Sequence, residues 1–151
     1  MTALRTSLIQ EKTNRLIASR YPTVGVFDDI AADPNDLRDA FVIESLTNDR
    51  LALAAGRISN LPNSEIITSA AGNGASLVMA AFLHADDRGG RFTDSRLGAW
   101  YAATRVETAI KETLHHTTAR LSRSAGGFPN RIQMRQLIAN INTELIDIRG
   151  Q

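Results

Sequence analysis

The sequence contains no cysteine among its 151 residues. Disulfide bonds, thiolate zinc sites and cysteine nucleophiles are therefore excluded. The chain also lacks an excess of one charge, because 17 basic residues stand against 16 acidic ones and no block of five like charges occurs. Since such a block is the electrostatic footprint of nucleic-acid binding, we expect no direct nucleic-acid partner.

Long apolar runs are absent as well. The longest one, residues 77–83, is far shorter than the roughly 20 apolar residues of a transmembrane helix. The first fourteen residues include Arg5, Glu11 and Lys12, and they contain no apolar segment of the secretory kind. We therefore expect a cytoplasmic protein without a membrane partner.

Several familiar site motifs are missing too. The sequence GNG at 72–74 is not followed by the lysine and hydroxyl of a P-loop, no GxGxxG fingerprint occurs, and no serine lies in a G-x-S-x-G context. His115 and His116 are adjacent and face different directions on a helix, and the only other histidine is His84. We expect no metal site and no hydrolase triad.

Length and composition are those of an ordinary globular protein. With 43% hydrophobic and 22% charged residues, the chain can form one domain, residues 1–151, around a real core. Segments typical of strands and of helices are interspersed along the sequence. This mixture predicts an α/β or an α+β fold.

Local signals predict the elements of the first two thirds of the chain. Residues 15–22 are typical of a short strand ended by Pro22. Asp33 followed by Pro34 predicts a capped helix start, with a second short helix after residues 47–48 that ends near Gly56. The apolar run at 75–83 is too short to assign as strand or helix by periodicity.

The last third contains one clear helix signal. Residues 97–103 are typical of a buried strand, and Thr104 to Glu107 has the form of a capping box, which predicts a helix from Arg105. The apolar face of this helix comprises Val106, Ala109, Ile110, Thr113, Leu114, Thr117 and Leu121. Glu112 lies about 140° from the centre of that face, so periodicity predicts that it is exposed.

The final apolar residues also follow a helical spacing. They are Met134, Leu137, Ile138, Ile141, Leu145 and Ile148. By pattern alone, this segment is predicted to be a helix.

The candidate chemistry lies in residues 89–116. Arg91 is on a glycine-rich loop, Tyr101 in the predicted strand and Glu112 on the predicted helix. A cation, an aromatic ring and a carboxylate that converge on one cleft would suit a charged nucleotide whose glycosidic bond is to be broken. The plain alternative is a solvated arginine, a packed tyrosine and an exposed glutamate.

Three motifs in this region resemble those of a known family. The sequences GGRF at 89–92, GAWYAA at 98–103 and ETAIKETL at 107–114 resemble the core of the RES-domain proteins, which are toxins of a bacterial toxin–antitoxin class. Residues 15–22 look like the opening strand of that family. The RES fold is similar to that of ADP-ribosyltransferases, so the resemblance implies an α+β domain with a mixed sheet and flanking helices. It also implies two strands, at 134–140 and 145–149, instead of the final helix.

The resemblance implies an activity. RES toxins destroy NAD⁺ at the nicotinamide–ribose bond by hydrolysis or phosphorolysis, which makes NAD⁺ a substrate, phosphate a co-substrate in the second case, and a cofactor unnecessary. By position, Arg91 matches the arginine expected to hold the NAD phosphates, and Tyr101 matches the tyrosine expected near the nicotinamide or its ribose. Glu112 matches the glutamate expected to stabilise the oxocarbenium-like ribose. Arg15 matches a second phosphate or ribose contact.

The resemblance further implies a cognate antitoxin, itself a DNA-binding repressor, that covers the cleft, and it admits a homo-oligomer. The family's serine lies on a strand beyond these motifs, and Ser122 and Ser124 come too early to match it. We therefore expect a chain shortened at its C-terminal end, with the serine unassigned. Two alternatives are a catalytically inactive RES-like module that binds only an antitoxin or a nucleotide, and an interaction domain whose motif match is accidental. The last alternative predicts that Arg91, Tyr101 and Glu112 do not share a pocket.

Overall fold

The computed structural model describes residues 5–21, 27, 29–72, 74–86, 88–126 and 131–149. The chain forms two compact units. One, which we call the ribbon unit, comprises Met1–Tyr21 and Tyr101–Gln151; the other, the helical unit, comprises Pro22–Trp100 and is inserted between the two segments of the first. The described residues form four α-helices and two strands, so the fold is α+β. The expectation of a single domain over residues 1–151 stays a prediction.

The helical unit contains helices α1 (Pro34–Ser45), α2 (Asp49–Ser59) and α3 (Ala75–Leu83), with 3₁₀ turns at Asn63–Glu65 and Ser69–Ala71. Helix α1 begins where the sequence predicts, because Asp33 Oδ1 accepts a hydrogen bond of 2.7 Å from the Asn35 N–H and Pro34 takes the first turn. Helix α2 continues past Gly56 to Ser59. The unassigned run at 75–83 is a helix.

Apolar side chains from all three helices form the core of the helical unit. The buried residues are Ala31, Leu37, Ala54, Ile58, Ile66, Met79 and Leu83, with Phe27, Phe41 and Leu61 packed against them. Arg38 on α1 donates hydrogen bonds to the carbonyl oxygens of Ile58 and Leu61. These bonds tie α1 to the C-terminal end of α2 and to the turn that follows it.

The ribbon unit is built on two antiparallel strands, β1 (Thr6–Ala18) and β2 (Met134–Ile146). They pair along their whole length, with Thr6 opposite Ile146 and Ala18 opposite Met134. The strand predicted from residue 15 thus begins much earlier and ends at Ala18. Pro22, the predicted end, lies outside the described residues. The described sheet is antiparallel and two-stranded, whereas the resemblance implies a mixed sheet.

The helix predicted over the final apolar residues is wrong. Exposure alternates with a period of two over residues 134–141 of β2, with Leu137, Ala139 and Ile141 half-buried and the residues between them exposed, and residues 142–146 are all exposed. The resemblance correctly implies strand here, but the two expected strands are one continuous strand.

The strand predicted over residues 97–103 is also wrong. The Gly98 N–H donates to the carbonyl oxygen of Phe82 at 2.7 Å, while Ala103 forms a single antiparallel bridge with Asn14. Because the backbone groups of this segment bond to two different elements, no ladder forms along it.

Helix α4 (Val106–Leu121) packs against β1 in the ribbon unit. It begins within one residue of the predicted start, but its N-cap is Arg105 and no side chain caps it, so the predicted capping box does not form. The covered side comprises Val106, Ala109, Thr113, Thr117 and Leu121. Ile110 and Leu114, which the pattern places on the apolar face, are exposed.

Candidate functional site

Asn14 holds the segment that precedes α4 against β1. Its N–H donates to the Ala103 carbonyl oxygen at 2.7 Å, and its own carbonyl accepts from the Ala103 N–H at 2.9 Å. The side-chain Nδ2 donates to the carbonyl oxygens of Ala103 and Thr104, at 3.2 Å and 3.1 Å. Backbone and side chain of one strand residue thus fix the start of the helix that carries Glu112.

The side-chain amide of Asn14 is buried, and both its nitrogen and its oxygen have hydrogen-bond partners. While Nδ2 donates to the two carbonyls, Oδ1 accepts a hydrogen bond of 2.7 Å from Gln136 Nε2 on β2. A buried amide is stable only when its donors and acceptor are matched in this way. Gln136 therefore orients Asn14, and the contact joins β2, β1 and the segment before α4.

Arg15 bonds to the same segment at Tyr101. Its Nη1 donates to the Tyr101 carbonyl oxygen at 3.2 Å. Burial lowers the pKa of Arg15, although a guanidinium stays protonated at neutral pH. The structure thus brings together Arg15 and Tyr101, two of the residues that the sequence selects for NAD⁺. Their contacts with a ligand stay predictions.

The side chain of Tyr101 is accessible. The residue is 45% exposed, in contrast to the packed core tyrosine of the plain alternative. Because Arg15 holds the backbone carbonyl, the ring is attached to a fixed point of the chain. Such a ring can stack on a planar ligand or donate its hydroxyl.

Glu112 lies on the exposed side of α4, as the helical periodicity predicts. Its Oε2 is 3.4 Å from His116 Nε2 one turn later, and the two side chains are 60% and 69% exposed. This i, i+4 pair on the helix surface is a weak interaction. A ligand can therefore displace it at little cost.

Arg91 belongs to the helical unit and lies on the loop that follows α3. Its side chain is exposed and has no polar partner among the described residues. The loop itself is held in place by Arg57, which donates to the carbonyl oxygens of Leu83 at 2.6 Å and of Ser95 at 2.8 Å. An exposed guanidinium on a loop that hydrogen bonds hold in place is suited to binding a phosphate.

Gly89 serves the turn before Arg91. Its φ is +73°, and a Cβ at this position would lie 2.7 Å from the Thr93 carbonyl oxygen. The turn is closed by a 2.8 Å hydrogen bond from the Gly90 N–H to that same oxygen. The glycine is therefore required by the loop conformation itself.

The loop ends in a second turn, at Asp94. Its carboxylate accepts hydrogen bonds from the Arg96 backbone N–H at 2.9 Å and from Arg96 Nε at 2.6 Å. These bonds hold the pKa of Asp94 below its usual range. The arrangement is an Asx turn with an added ion pair, and it fixes the backbone on the far side of Arg91.

Of the four selected residues, Arg15, Tyr101 and Glu112 belong to the ribbon unit and Arg91 to the helical unit. Convergence of Arg91 with Tyr101 and Glu112 stays a prediction. Within the described ranges, no group of three histidine, aspartate or glutamate side chains could hold a metal ion. No helix in those ranges is long and apolar enough to cross a membrane.

Sequence reasoning missed Asn14 and Gln136. Asn14 lies between Thr13 and Arg15 in a strand, where a polar residue normally faces solvent. Its partners are remote in sequence, at residues 103, 104 and 136. The one local signal is that a polar residue stands at position 14 within a segment that is typical of a strand.

The fold is that of an α+β protein in which the selected residues lie on a strand (Arg15), a loop (Arg91), an extended segment (Tyr101) and a surface helix (Glu112). The model of the RES domain family matches residues 67–151, more than half of the chain. The chain therefore belongs to the RES-domain family. The matched range contains Arg91, Tyr101 and Glu112, while Arg15 precedes it. No curated protein and no solved structure shows a significant match to the chain.

Proposed function

We propose that this protein is a toxin-type enzyme that degrades NAD⁺ by cleaving the bond between nicotinamide and ribose. The observation that carries the proposal is the RES-domain match over residues 67–151, which includes all three motifs. Membership of this family is consistent with a module associated with a toxin–antitoxin system.

The chemistry of the bond assigns a role to Glu112. As the bond breaks, the ribose gains the positive charge of an oxocarbenium-like transition state, which a nearby carboxylate stabilises. Nicotinamide leaves as a neutral group, so the site needs no strong general acid. Either water or phosphate then attacks the ribose, which makes phosphate a co-substrate in the second case; neither reaction requires a cofactor.

The remaining residues bind the substrate. Arg91 holds the NAD phosphates, for which the planar guanidinium is suited. Tyr101 contacts the nicotinamide or its ribose through its exposed ring. Arg15 adds a second cationic contact, while its Nη1 donates to the backbone carbonyl oxygen of Tyr101. The Asn14 contacts support this proposal because they fix the connection between Tyr101 and the helix of Glu112.

The proposal extends to the fold and the biological setting. We propose a relationship to the ADP-ribosyltransferase fold, in which a sheet and its flanking helices hold NAD⁺. The partner is a cognate antitoxin, a DNA-binding repressor that covers the site in the cytoplasm. Neither membrane nor nucleic acid is a direct partner of the chain itself.

The test is NAD⁺ consumption by the purified protein, with and without phosphate, followed through nicotinamide release. Glu112→Gln removes the charge and keeps the shape, so release should be lost. Glu107→Gln is the matched control, because Glu107 lies on the same helix and is also exposed, at 63%. Release that depends on Glu112 but not on Glu107 supports the proposal, and its dependence on phosphate distinguishes phosphorolysis from hydrolysis.

Two results would count against the enzyme. Equal activity in wild type and Glu112→Gln would remove the proposed role of the carboxylate. NAD⁺ binding by calorimetry without any nicotinamide release would favour the alternative, a RES-like module that only binds a nucleotide or an antitoxin.

A further inference from the structure

A side chain of α2 fixes both ends of the loop that follows α3. This loop, residues 84–97, contains the GGRF sequence, and we call it the motif loop. Arg57 donates through Nη1 to the carbonyl oxygen of Leu83, directly before the loop, at 2.6 Å, and through Nη2 to that of Ser95, near its end, at 2.8 Å. Nη2 also donates to the Ala85 carbonyl oxygen at 3.3 Å. The guanidinium of Arg57 therefore joins the beginning of the motif loop to its end.

The C-terminal end of α3 is a favourable place for a guanidinium. Carbonyl groups at a helix C-terminus lack partners within the helix and carry a partial negative charge. Arg57 is half-buried, and its rigid planar group has several N–H donors, so it can bond to more than one carbonyl at once. The Gly98 N–H meets the same end of α3, because it donates to the Phe82 carbonyl oxygen at 2.7 Å. The end of the motif loop is thus held against α3 as well as its beginning.

The hydrogen bond that shapes the turn around Arg91 is local. The Gly90 N–H donates to the Thr93 carbonyl oxygen at 2.8 Å, which closes the turn that contains Arg91. Such a bond shapes the turn, but it does not set where the turn lies on the helical unit. Arg57 acts on that position, because it connects the two ends of the motif loop to α2.

Arg57 lies outside the part of the chain that the family model matches. The match covers residues 67–151 and includes the motif loop, whereas α2 precedes it. A helix from outside the matched range therefore supplies a side chain that joins the ends of the loop.

We propose that Arg57 is a positioning residue of the nucleotide site, which holds the motif loop in the placement from which Arg91 binds the phosphates of NAD⁺. The inference rests on the proposed function, because it takes Arg91 as the phosphate-binding residue. A loop that is already ordered loses less conformational freedom when a ligand binds, so the affinity rises without a new contact to the ligand. Arg57 therefore acts on substrate binding and not on the cleavage of the bond.

Calorimetry with NAD⁺ on the full chain tests the coupling between Arg57 and Arg91 as a double-mutant cycle. Arg57→Ala should weaken binding by nearly as much as Arg91→Ala, about tenfold. The double variant should bind no worse than Arg91→Ala alone, because Arg57 acts through Arg91. In nicotinamide release, Arg57→Ala should raise KM and leave kcat largely unchanged.

Arg38→Ala is the matched control. Arg38 is also half-buried in the helical unit and also donates to backbone carbonyl oxygens, but these belong to Ile58 and Leu61 and not to the motif loop. Arg38→Ala should lower the Tm as Arg57→Ala does and leave NAD⁺ binding unchanged. Arg57→Lys keeps the charge and most of the aliphatic stem, which favours a folded chain, but it lacks the planar fork and should also weaken NAD⁺ binding. Circular dichroism establishes that each variant is folded.

Hydrogen exchange followed by mass spectrometry measures the order of the motif loop without a ligand. Its amide hydrogens should exchange faster in Arg57→Ala than in wild type and at the wild-type rate in Arg38→Ala. Unchanged exchange in Arg57→Ala overturns the role of Arg57, as do losses of binding that multiply in the double variant. A wild type that neither binds nor cleaves NAD⁺ overturns the proposed function itself. When wild type binds NAD⁺ through Arg91, equal binding by Arg57→Ala overturns the role of Arg57 alone.

Discussion

Asn14 and Ala103 exchange both of their backbone hydrogen bonds, at 2.7 Å and 2.9 Å, across the edge of β1 that faces away from β2. The Asn14 side chain reinforces this bridge with bonds to the carbonyls of Ala103 and Thr104. Because Arg15 also bonds to Tyr101, two consecutive strand residues position the whole segment between the candidate tyrosine and α4. The geometry of the candidate site therefore depends on β1 as much as on the motif residues.

Asn14→Ala should destabilise the ribbon unit. The change removes two donors to part-buried backbone carbonyls, a loss of about 1–3 kcal/mol, while the amide of the exposed Gln136 can bond to water instead. Urea unfolding followed by circular dichroism measures it. Asn140→Ala on β2 is the control, because Asn140 is exposed and should change stability by no more than about 0.5 kcal/mol. Equal losses in the two variants would contradict the role of Asn14.

Gly98→Ala and Gly56→Ala should change stability in opposite directions. At Gly98 an added Cβ would overlap the carbonyl oxygen of Ala81, so the backbone must shift, at a cost of about 1–3 kcal/mol. At Gly56, on α2, nothing lies within 4 Å of the added Cβ, and alanine should stabilise the helix by up to about 1 kcal/mol. Thermal unfolding of both variants checks the prediction. A neutral Gly98→Ala would show that the close approach to α3 is absent in solution.

Asp147 should make the ribbon unit less stable in acid. Bonds from Arg149 and Ser7 lower the pKa of Asp147 in the folded chain, so the unfolded chain binds the proton more readily. The resulting stabilisation is complete above the unfolded pKa of about 3.9 and is lost as the pH falls below it.

The difference in Tm between wild type and Asp147→Asn should therefore shrink as the pH falls from about 5 to about 2.5. Arg149→Gln should reproduce the behaviour of Asp147→Asn, because Arg149 is the main cause of the lowered pKa of Asp147. A constant difference in Tm across this range would show that the pair does not form.

Arg91→Ala and Glu112→Ala should affect different steps of the proposed reaction. Loss of a charged hydrogen bond to the phosphates should weaken NAD⁺ binding about tenfold or more in Arg91→Ala. Loss of transition-state stabilisation in Glu112→Ala should lower kcat by about 10²-fold to 10³-fold and leave binding largely unchanged.

Calorimetry and nicotinamide release separate these two effects. Arg88→Ala is the control for Arg91→Ala, because Arg88 is an exposed arginine on the same loop. Equal losses of binding in Arg91→Ala and Glu112→Ala would argue against separate roles.

Signals that act within a few residues predicted helices α1, α2 and α4, whereas α3 was left unassigned. Asp33 and Pro34 mark the start of α1 because the cap is a local hydrogen bond, and it forms as expected. The capping box predicted at Thr104 does not form, because the N-cap is Arg105 and no side chain caps α4. The carbonyl of Thr104 instead accepts a hydrogen bond from Asn14, a partner that is remote in the sequence.

The periodicity of the apolar residues predicted the wrong secondary structure at β2, again because a contact remote in the sequence decides the outcome. Its apolar residues fit a helical spacing as well as an alternating one, and the pairing with β1 that decides between them joins the two ends of the chain. Motif resemblance selected Arg91, Tyr101 and Glu112, and the family match includes all three. It did not select Asn14, because the partners of that side chain, the carbonyls of residues 103 and 104 and the amide of Gln136, are all remote in the sequence.

The insertion of the helical unit between β1 and β2 has a consequence for biosynthesis. On a translating ribosome β1 emerges first, yet its partner strand emerges only after Pro22–Trp100 and α4. Closure of so long a loop is slow, and a helical unit that has already folded shortens the span to be closed. A nascent chain therefore carries β1 without its partner strand until β2 emerges, open to chaperones, and the Gln136–Asn14 contact is completed only then.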